Sequence, residues 1–340
     1  MDRPYNASMD ITADEDSAPG WEAIDQALET LYSEEEPHHW GPEVPRLAGG
    51  EEPLDGVSAY PSERGGIPHW HYVSYGLTEL FDKESDDAEV SGFGFELTFR
   101  LKRETEEDPP LWPVDLMQSL ARYVFESGNP FAAGHGISVG GTIAHHLDSE
   151  LTAITFIDDP ELGAIETPYG RASFLQIVPL TEDEFEARKR WSTDELLALM
   201  RGGNPLLVTD LGRGSILNDE SVRAAVEAGV QRDGSSLGEM LANVAWSEEN
   251  GRYRVKIGVR EATELVRAIG SRLQHNREFG LLGDEQGVAI FPSDEPAITV
   301  SEEALLMISV DNTVAAELKA LPLAEGVHSI NAIPVDFELA

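Results

Sequence analysis

The chain has 340 residues, no cysteine, and 63 acidic against 24 basic side chains, which gives a formal net charge of -39. Hydrophobic residues make up 41% of it, enough to build a folded core despite this charge. The lack of cysteine excludes disulfides, thiolate zinc sites and cysteine nucleophiles. The sequence has no basic stripe for nucleic acid and no apolar run near the roughly 20 residues of a membrane span. These features predict a soluble, cytoplasmic protein that binds neither nucleic acid nor membrane.

The acidic surface has two explanations. A chain with so few basic residues, only five of them lysine, is typical of a cytoplasm rich in salt. A surface of this charge would also attract a basic partner. Both explanations stay open at this point.

The N-terminal part of the chain predicts a tail, a helix and a loop. Residues 1–18 are polar and acidic and predict a disordered tail. Residues 20–33 place Trp21, Ile24, Leu28 and Leu31 at helical spacing. The Pro- and Gly-rich stretch 37–53 then predicts a loop.

Two alternating runs follow, HWHYVSY at 69–75 and FGFELTFRLK at 93–102. Their period of two predicts half-buried strands, joined by the polar insert 82–90. Gly92 and Gly94 predict either a bulge or an edge contacted by a partner. Residues 113–127 predict a helix packed on this sheet, with Gly128 as its stop. Its apolar face is formed by Leu116, Leu120, Tyr123 and Val124.

The rest of the chain alternates strands and helices. Strands are predicted at 151–157, 172–178 and 206–209, and helices that begin after Ser192 and Asn218 and end at Gly202 and Gly229. The turn Asn250-Gly251 predicts a hairpin that pairs 240–246 with 252–258. The fold class is therefore α+β, a mixed or antiparallel sheet with packed helices plus a smaller C-terminal α/β domain. The predicted N-terminal domain spans 19–258 and the C-terminal domain 259–340.

The candidates for chemistry are few. His69 and His71 alternate on one strand, so both rings face the same way and could share a metal ion, with Asp158 and Asp159 as acid/base carboxylates. The structural alternative is aromatic packing for the histidines and a solvated turn for the Asp-Asp-Pro sequence. His145 and His146 would point in opposite directions on a strand. No glycine loop has phosphate-binding spacing and no serine lies in a nucleophile elbow, so we expect no catalytic residue and no cofactor.

Several motifs occur together in one order along the chain. They are PLDGVSAYP at Pro53, IPHWHYVSYGLTEL at Ile67, SGFGFELTFRLKRET at Ser91, WPVDLMQSLARYVFES at Trp112, TPYGRASFLQIVPLTEDE at Thr167, PLLVTDLGRG at Pro205 and DGSSLGEMLANVAW at Asp233. In this order the chain resembles the Suppressor of fused family over roughly 20–246, a far more specific signal than one short motif.

The resemblance implies a non-enzymatic protein that grips an extended peptide of its partner between two domains, where the peptide adds a strand. It makes Tyr123 a partner-binding residue and aligns His135 with a family aspartate that pairs with a basic partner side chain. The peptide-pairing strands would be 136–139, with Ile137 and Val139, and 239–246. The second of these contributes Met240, Ala242 and Ala245.

The chain is shorter and more acidic than animal members, so it resembles a prokaryotic, salt-adapted one. Such relatives imply an immunity protein that blocks a toxin domain, or a protein that sequesters another cytoplasmic partner. The alternatives from the residues themselves are a metal-dependent enzyme using His69, His71 and Asp158/Asp159, and an assembly subunit.

Overall fold

The computed structural model describes residues 17–33, 35–42, 44, 46, 49–105, 107–144 and 147–340. Most of the predicted N-terminal tail, residues 1–16, lies outside these ranges. His145 and His146 lie outside them as well.

The chain divides into two compact units. The first contains the chain up to Pro179 and Asn204–Arg213, and the second contains Leu180–Gly203 and Gly214–Ala340. The domain boundary predicted near Gly258 lies inside the second unit. The division into an N-terminal domain at 19–258 and a C-terminal domain at 259–340 stays a prediction.

The first unit is built on one large sheet flanked by helices. Its described elements are α1 (Pro19–Tyr32), β1 (His38–Trp40), β2 (Gly56–Ser62), β3 (His69–Tyr75), β4 (Val90–Lys102), α2 (Trp112–Ser127), β5 (Gly136–Ser138), β6 (Leu151–Asp158), β7 (Ala164–Thr167) and β8 (Gly170–Thr181). The strand order is β1-β2-β3-β4-β8-β6-β5, with β7 beside β8. Strands β4 and β8 are parallel, whereas β1 to β4 form an antiparallel meander. The mixed sheet with packed helices is thus confirmed.

Both faces of this sheet are covered. Helix α1 buries Ile24 and Leu28 against Val73 and Phe174 on one face. Helix α2 packs on the opposite face, among side chains such as Tyr72. All seven residues of β3 are consequently buried. The prediction of a half-buried strand was wrong, because both alternating sets of side chains, those at 69, 71, 73 and 75 and those at 70, 72 and 74, are interior.

Gly92 and Gly94, near the start of β4, form a bulge. This confirms the first of the two alternatives predicted for them. The pairing register with β8 shifts between Val90 and Phe95. Gly92 and Gly94 have φ values of 55° and 83°, which favour glycine. A Cβ on Gly92 would lie 2.7 Å from the carbonyl oxygen of Leu77, so the turn that follows β3, residues 76–79, packs directly on this bulge.

A buried carboxylate fixes the same turn to β4. Glu96 is fully buried and accepts hydrogen bonds from Ser74 Oγ at 2.5 Å, Gly76 N at 3.0 Å, Thr78 N at 2.9 Å and Thr78 Oγ1 at 2.7 Å. Burial raises the pKa of Glu96 to about 7, against the opposing effect of these four bonds.

The second unit contains two smaller sheets and five helices among its described residues. Its elements are α3 (Glu182–Arg190), α4 (Thr193–Arg201), α5 (Glu220–Asp233), β9 (Glu239–Leu241), β10 (Ala245–Glu249), β11 (Arg252–Ile257), α6 (Val259–Arg272), β12 (Phe279–Leu282), β13 (Gly287–Pro292), β14 (Ala297–Val300), β15 (Leu305–Val310), α7 (Asn312–Lys319), β16 (Gly326–Ile330) and β17 (Val335–Leu339). The sheet orders are β10-β11-β17-β16 and β14-β15-β13-β12-β9. One core, which includes Val255, Leu265, Ile290 and Phe337, joins both sheets to α6.

Three local predictions for the chain after residue 200 need correction. Residues 206–209 form a single bridge, between Thr209 and Leu101, and not a strand. The predicted hairpin forms only between β10 and β11, since Met240 pairs with Leu281 in the other sheet. Helix α5 is capped by Asp219 and not, as predicted, by Asn218.

Helix α5 also runs past Gly229, its predicted end, to Asp233. Gly229 is needed for packing: a Cβ there would lie 2.2 Å from the ring of Trp191. That ring is held by a hydrogen bond from its Nε1 to Asp233 Oδ2 at 3.0 Å. No helix in the described parts of the chain is long and apolar enough to cross a bilayer.

We predict that Gly229→Ala destabilises the protein by about 1–3 kcal/mol, because the methyl group overpacks the contact with Trp191. Gly270→Ala in α6 is the matched control: no atom lies within 4 Å of its Cβ position, so helix propensity alone should raise stability by up to about 1 kcal/mol. Urea unfolding of both variants measures the difference. Equal midpoints would contradict the packing role of Gly229.

A second prediction concerns pH. The folded-state pKa of Glu96, about 7, lies above the ordinary value of 4.5, so the folded protein holds more protons between these values. Stability supplied by Glu96 is therefore full below pH 4.5 and is lost as pH rises to 7, by roughly 3 kcal/mol. In Glu96→Gln this contribution disappears, so the difference in unfolding free energy between wild type and variant changes across that window. Glu166→Gln, at an exposed position of β7, should show no such change.

Candidate functional site

Strand β5 is an exposed edge of the first sheet. It pairs with β6 in antiparallel register, for instance Ile137 with Ile154, and is the last strand on that side among the described residues. The N–H of Val139 donates to Thr152 O at 3.0 Å. Because main-chain groups alternate in direction along a strand, the N–H of Ser138 points away from β6. An unpaired edge of this kind is a template for a further strand.

Tyr123 lies on α2 and is a surface residue, with 44% of its area exposed. Its ring stacks on Phe131 at a centroid distance of 5.5 Å, and Phe131 stacks in turn on Phe156 of β6 at 4.3 Å. The prediction that Tyr123 belongs to the face of α2 that packs on the sheet is therefore wrong. The aromatic stack holds the ring at the surface of the unit that carries β5.

His135 lies in the turn before β5, where the main chain is tightly held. Its carbonyl oxygen accepts hydrogen bonds from Phe156 N at 3.0 Å and Thr155 Oγ1 at 2.7 Å. Ile137 and Val139 are partly buried and pack against the core. The side chains of Ile137 and Val139 thus fix β5 to the core, and its outer edge presents main-chain groups.

The second group of predicted residues is divided between two sheets. Met240 lies in β9, at the edge of the five-stranded sheet, and Ala245 lies in β10, at the edge of the four-stranded sheet. Ala242 connects them, with its N–H bonded to Leu282 O at 2.8 Å. Met240 and Ala242 pack against the core, whereas Leu241 is 63% exposed. Leu241 was missed, although the alternation in MLA already places it opposite to Met240.

The histidine and aspartate candidates are occupied by structural contacts. His69 and His71 are fully buried on β3 and face the same side, as predicted. His69 Nδ1 bonds to Ile67 O at 2.7 Å, and His71 Nδ1 bonds to Tyr32 OH at 2.8 Å. Burial lowers the pKa of both rings, that of His69 to about 4, so both are neutral at neutral pH.

Asp159 is paired with an arginine that the sequence analysis did not single out. Arg100 Nη1 lies 2.6 Å from Asp159 Oδ2 and Arg100 Nη2 lies 3.1 Å from Oδ1, with both side chains fully buried. His71 Nε2, at 3.4 Å from Oδ2, is at the outer limit of a hydrogen bond. Burial opposes the charge of Asp159, but these partners outweigh it and hold its pKa well below the usual range; we attribute this chiefly to Arg100.

This network gives no support to the metal-enzyme interpretation. The guanidinium of Arg100 already neutralises Asp159, and Asp158 is exposed at the end of β6. In the portions of the chain that the structure describes, no three histidine or acidic side chains are grouped so that they could hold a metal ion.

Comparisons with known proteins show which family this chain is similar to. Residues 50–214 match the profile of the family described as Suppressor of fused protein (SUFU). The chain is 40% identical over 216 residues to the Suppressor of fused homologs of Homo sapiens and Mus musculus, which covers 59% of this chain and 44% of each of those proteins. It thus spans less than half the length of the curated relatives it matches.

Two solved structures are also similar. Drosophila Suppressor of Fused matches with a TM-score of 0.77 at 22% identity, over 95% of this chain and 97% of that one. A chain of the Sufu-Fu complex crystal structure matches with a TM-score of 0.58 at 31% identity, over 64% of this chain and 99% of that one. The chain belongs to the Suppressor of fused family, as its motifs predicted.

We predict that Asp159→Asn destabilises the protein by about 3–5 kcal/mol, because it breaks the fully buried ion pair with Arg100 and leaves only the partly buried Glu161 as an acidic partner of that guanidinium. Asp158→Asn, one residue earlier and exposed, should change stability by no more than about 0.5 kcal/mol. Denaturant unfolding at pH 7 compares the two variants. If both are equally stable, the ion pair does not have the structural role assigned here.

Proposed function

We propose that this chain is a non-catalytic protein-binding module that captures an extended segment of a partner protein by strand addition at an exposed sheet edge. The observation that carries the proposal is β5, whose outer main-chain groups, among the described residues, have no neighbouring strand, with exposed Tyr123 on the same unit. The edges of β9 and β10 are further candidates, with Met240, Ala242 and Ala245 as their predicted contacts.

The energetics favour a combination of edge and side chain. Each main-chain hydrogen bond contributes only about 1 kcal/mol net, and β5 is three residues long. An exposed tyrosine held in a stack is the kind of residue that dominates binding energy at interfaces, because it buries much area and loses little entropy. Tyr123 therefore supplies the specificity that the main chain of β5 lacks.

Charge supports a basic partner. A net charge of -39 attracts positively charged proteins over long distances and accelerates their association. That attraction weakens as salt rises, because the screening length falls to about 8 Å at 0.15 M ionic strength. His135 adds no carboxylate at the position where the family has an aspartate, so the attraction would come from the surface as a whole.

More specifically, we propose that binding inhibits the partner, as an immunity protein blocks a toxin domain or a sequestering protein retains a regulator in the cytoplasm. An exposed sheet edge that binds a peptide is consistent with such inhibition. It requires a stoichiometric complex in which the partner's own activity is lost.

The test is a matched pair of edge variants. Ser138→Pro removes the outward N–H of β5, and Val300→Pro removes the outward N–H of β14, an edge outside the proposed site. The wild type and both variants are used to capture partners from cells of the source organism at their own salinity, and the complex is then measured by calorimetry. We expect Ser138→Pro to bind the captured partner at least about tenfold more weakly, and Val300→Pro to bind like wild type.

Thermal unfolding of both variants shows whether they remain folded. A folded Ser138→Pro that binds the partner as tightly as wild type would exclude strand addition at β5.

A further inference from the structure

A cavity of about 550 Å³ opens from the core of the first unit. Its volume lies in the range of sites that bind small ligands or anchoring side chains. The lining residues come from the end of β4, the start of α2 and the segment after Thr209. Those that matter for its chemistry are Trp70, Lys102, Glu104, Trp112, Leu147 and Asp210.

Two of the six tryptophans of the chain line this cavity, and one has an unused hydrogen-bond donor. Trp70 is only 2% exposed, and its indole N–H finds no acceptor among the described residues. A buried donor without an acceptor is unfavourable, so the indole N–H of Trp70 favours an occupant of this cavity that offers an acceptor.

The walls are held in place by contacts outside the cavity. The guanidinium of Arg103 lies 5.2 Å from the centroid of the Trp70 ring, and His38 meets that ring edge-on at 5.6 Å. Tyr72 OH donates to Pro110 O at 2.8 Å. Ser149 Oγ donates to Leu211 O at 2.9 Å. The opening is therefore part of the fold and not a gap left by loose packing.

The surroundings favour a protein over a small molecule. Leu147, which lines the cavity, is 47% exposed, and Leu111, between two lining residues, is 56% exposed. Apolar surface thus continues beyond what an enclosed ligand would cover. A tryptophan-lined pocket with exposed leucines beside it has the composition of a binding hot spot.

The charge of the chain as a whole defines the partner further. Lys102 Nζ lies 2.8 Å from Asp210 Oδ2 and 3.3 Å from Glu104 Oε1, so the lining residues have a formal charge of -1, which Arg103 beside Trp70 offsets. In a chain of net charge -39, an acidic residue beside the anchor would be repelled. A basic residue there would be attracted.

We propose that this tryptophan-lined cavity binds an apolar anchor side chain of a partner protein, next to a basic residue, with a main-chain carbonyl accepting from Trp70. The cavity is separate from the β5 edge. Trp112 begins α2 and Tyr123 lies eleven residues later, about 16 Å along the helix axis. The proposal therefore does not depend on strand addition.

The test uses capped tripeptides and the indole N–H signals of the isotope-labelled full chain, assigned with Trp70→Phe and Trp112→Phe. The probe is acetyl-glycyl-phenylalanyl-lysine amide. We expect saturable shifts of both signals. Replacing phenylalanine by alanine in the probe should weaken binding at least about tenfold, and replacing lysine by glutamate should weaken it several-fold.

Leu147→Asn should weaken binding of the first peptide about fivefold or more, since it removes apolar surface at the wall. Leu323→Asn, at an equally exposed leucine of the second unit, is the control and should bind like wild type. The absence of saturable shifts, or equal binding of the alanine peptide, would overturn the proposal. Tighter binding of octanoate than of the phenylalanine peptide would also overturn it, in favour of a small-molecule site.

Discussion

A buried charge in the middle of the first sheet constrains everything around it. Arg100 is fully buried on β4, and an unpaired guanidinium at that depth would be prohibitively unfavourable. Its partners come from three other places: Asp159 after β6, Gln176 on β8, and Glu161 in the turn before β7. The ion pair is satisfied only when β4, β6 and β8 are in register. One charge therefore specifies the order of the central strands more than it adds to stability.

The same constraint extends to the proposed binding edge. Strand β5 has only three residues and is held by β6, whose end is fixed through Asp159. The stack of Phe156, Phe131 and Tyr123 runs from β6 to the surface. An edge and a tyrosine that are already held in place lose little freedom on binding, so more of the interaction energy appears as affinity. The rigidity of the core would in this way contribute to the proposed binding edge.

Much of the fold could be predicted from local patterns, and the errors have a common cause. The strand at 69–75 and the helices that begin near residues 19 and 112 follow from periodicity and were predicted within one or two residues. The burial of Arg100 could not be predicted, because in FELTFRLK it occupies an ordinary position on the face of a strand that was expected to be exposed to solvent. The side chains of Asp159 and Glu161, which are distant in sequence, contact Arg100 on that face and make it part of the interior. Gly229 looks like a helix stop for the same reason: the ring of Trp191 that requires a glycine there is distant in sequence.

Recognition through a sheet edge leaves few traces in a sequence, because the groups that bind are those every residue has. Specificity must then come from the few side chains that the fold leaves exposed beside an edge or a cavity. In this chain they are aromatic and aliphatic, as with Tyr123, Leu241 and the tryptophan-lined cavity, on a surface whose charge is overwhelmingly negative. Long-range attraction brings any basic protein near such a surface but selects poorly among them, and it fades in salt. The apolar contacts do not fade in salt, so in a saline cell the selection of a partner would rest on them.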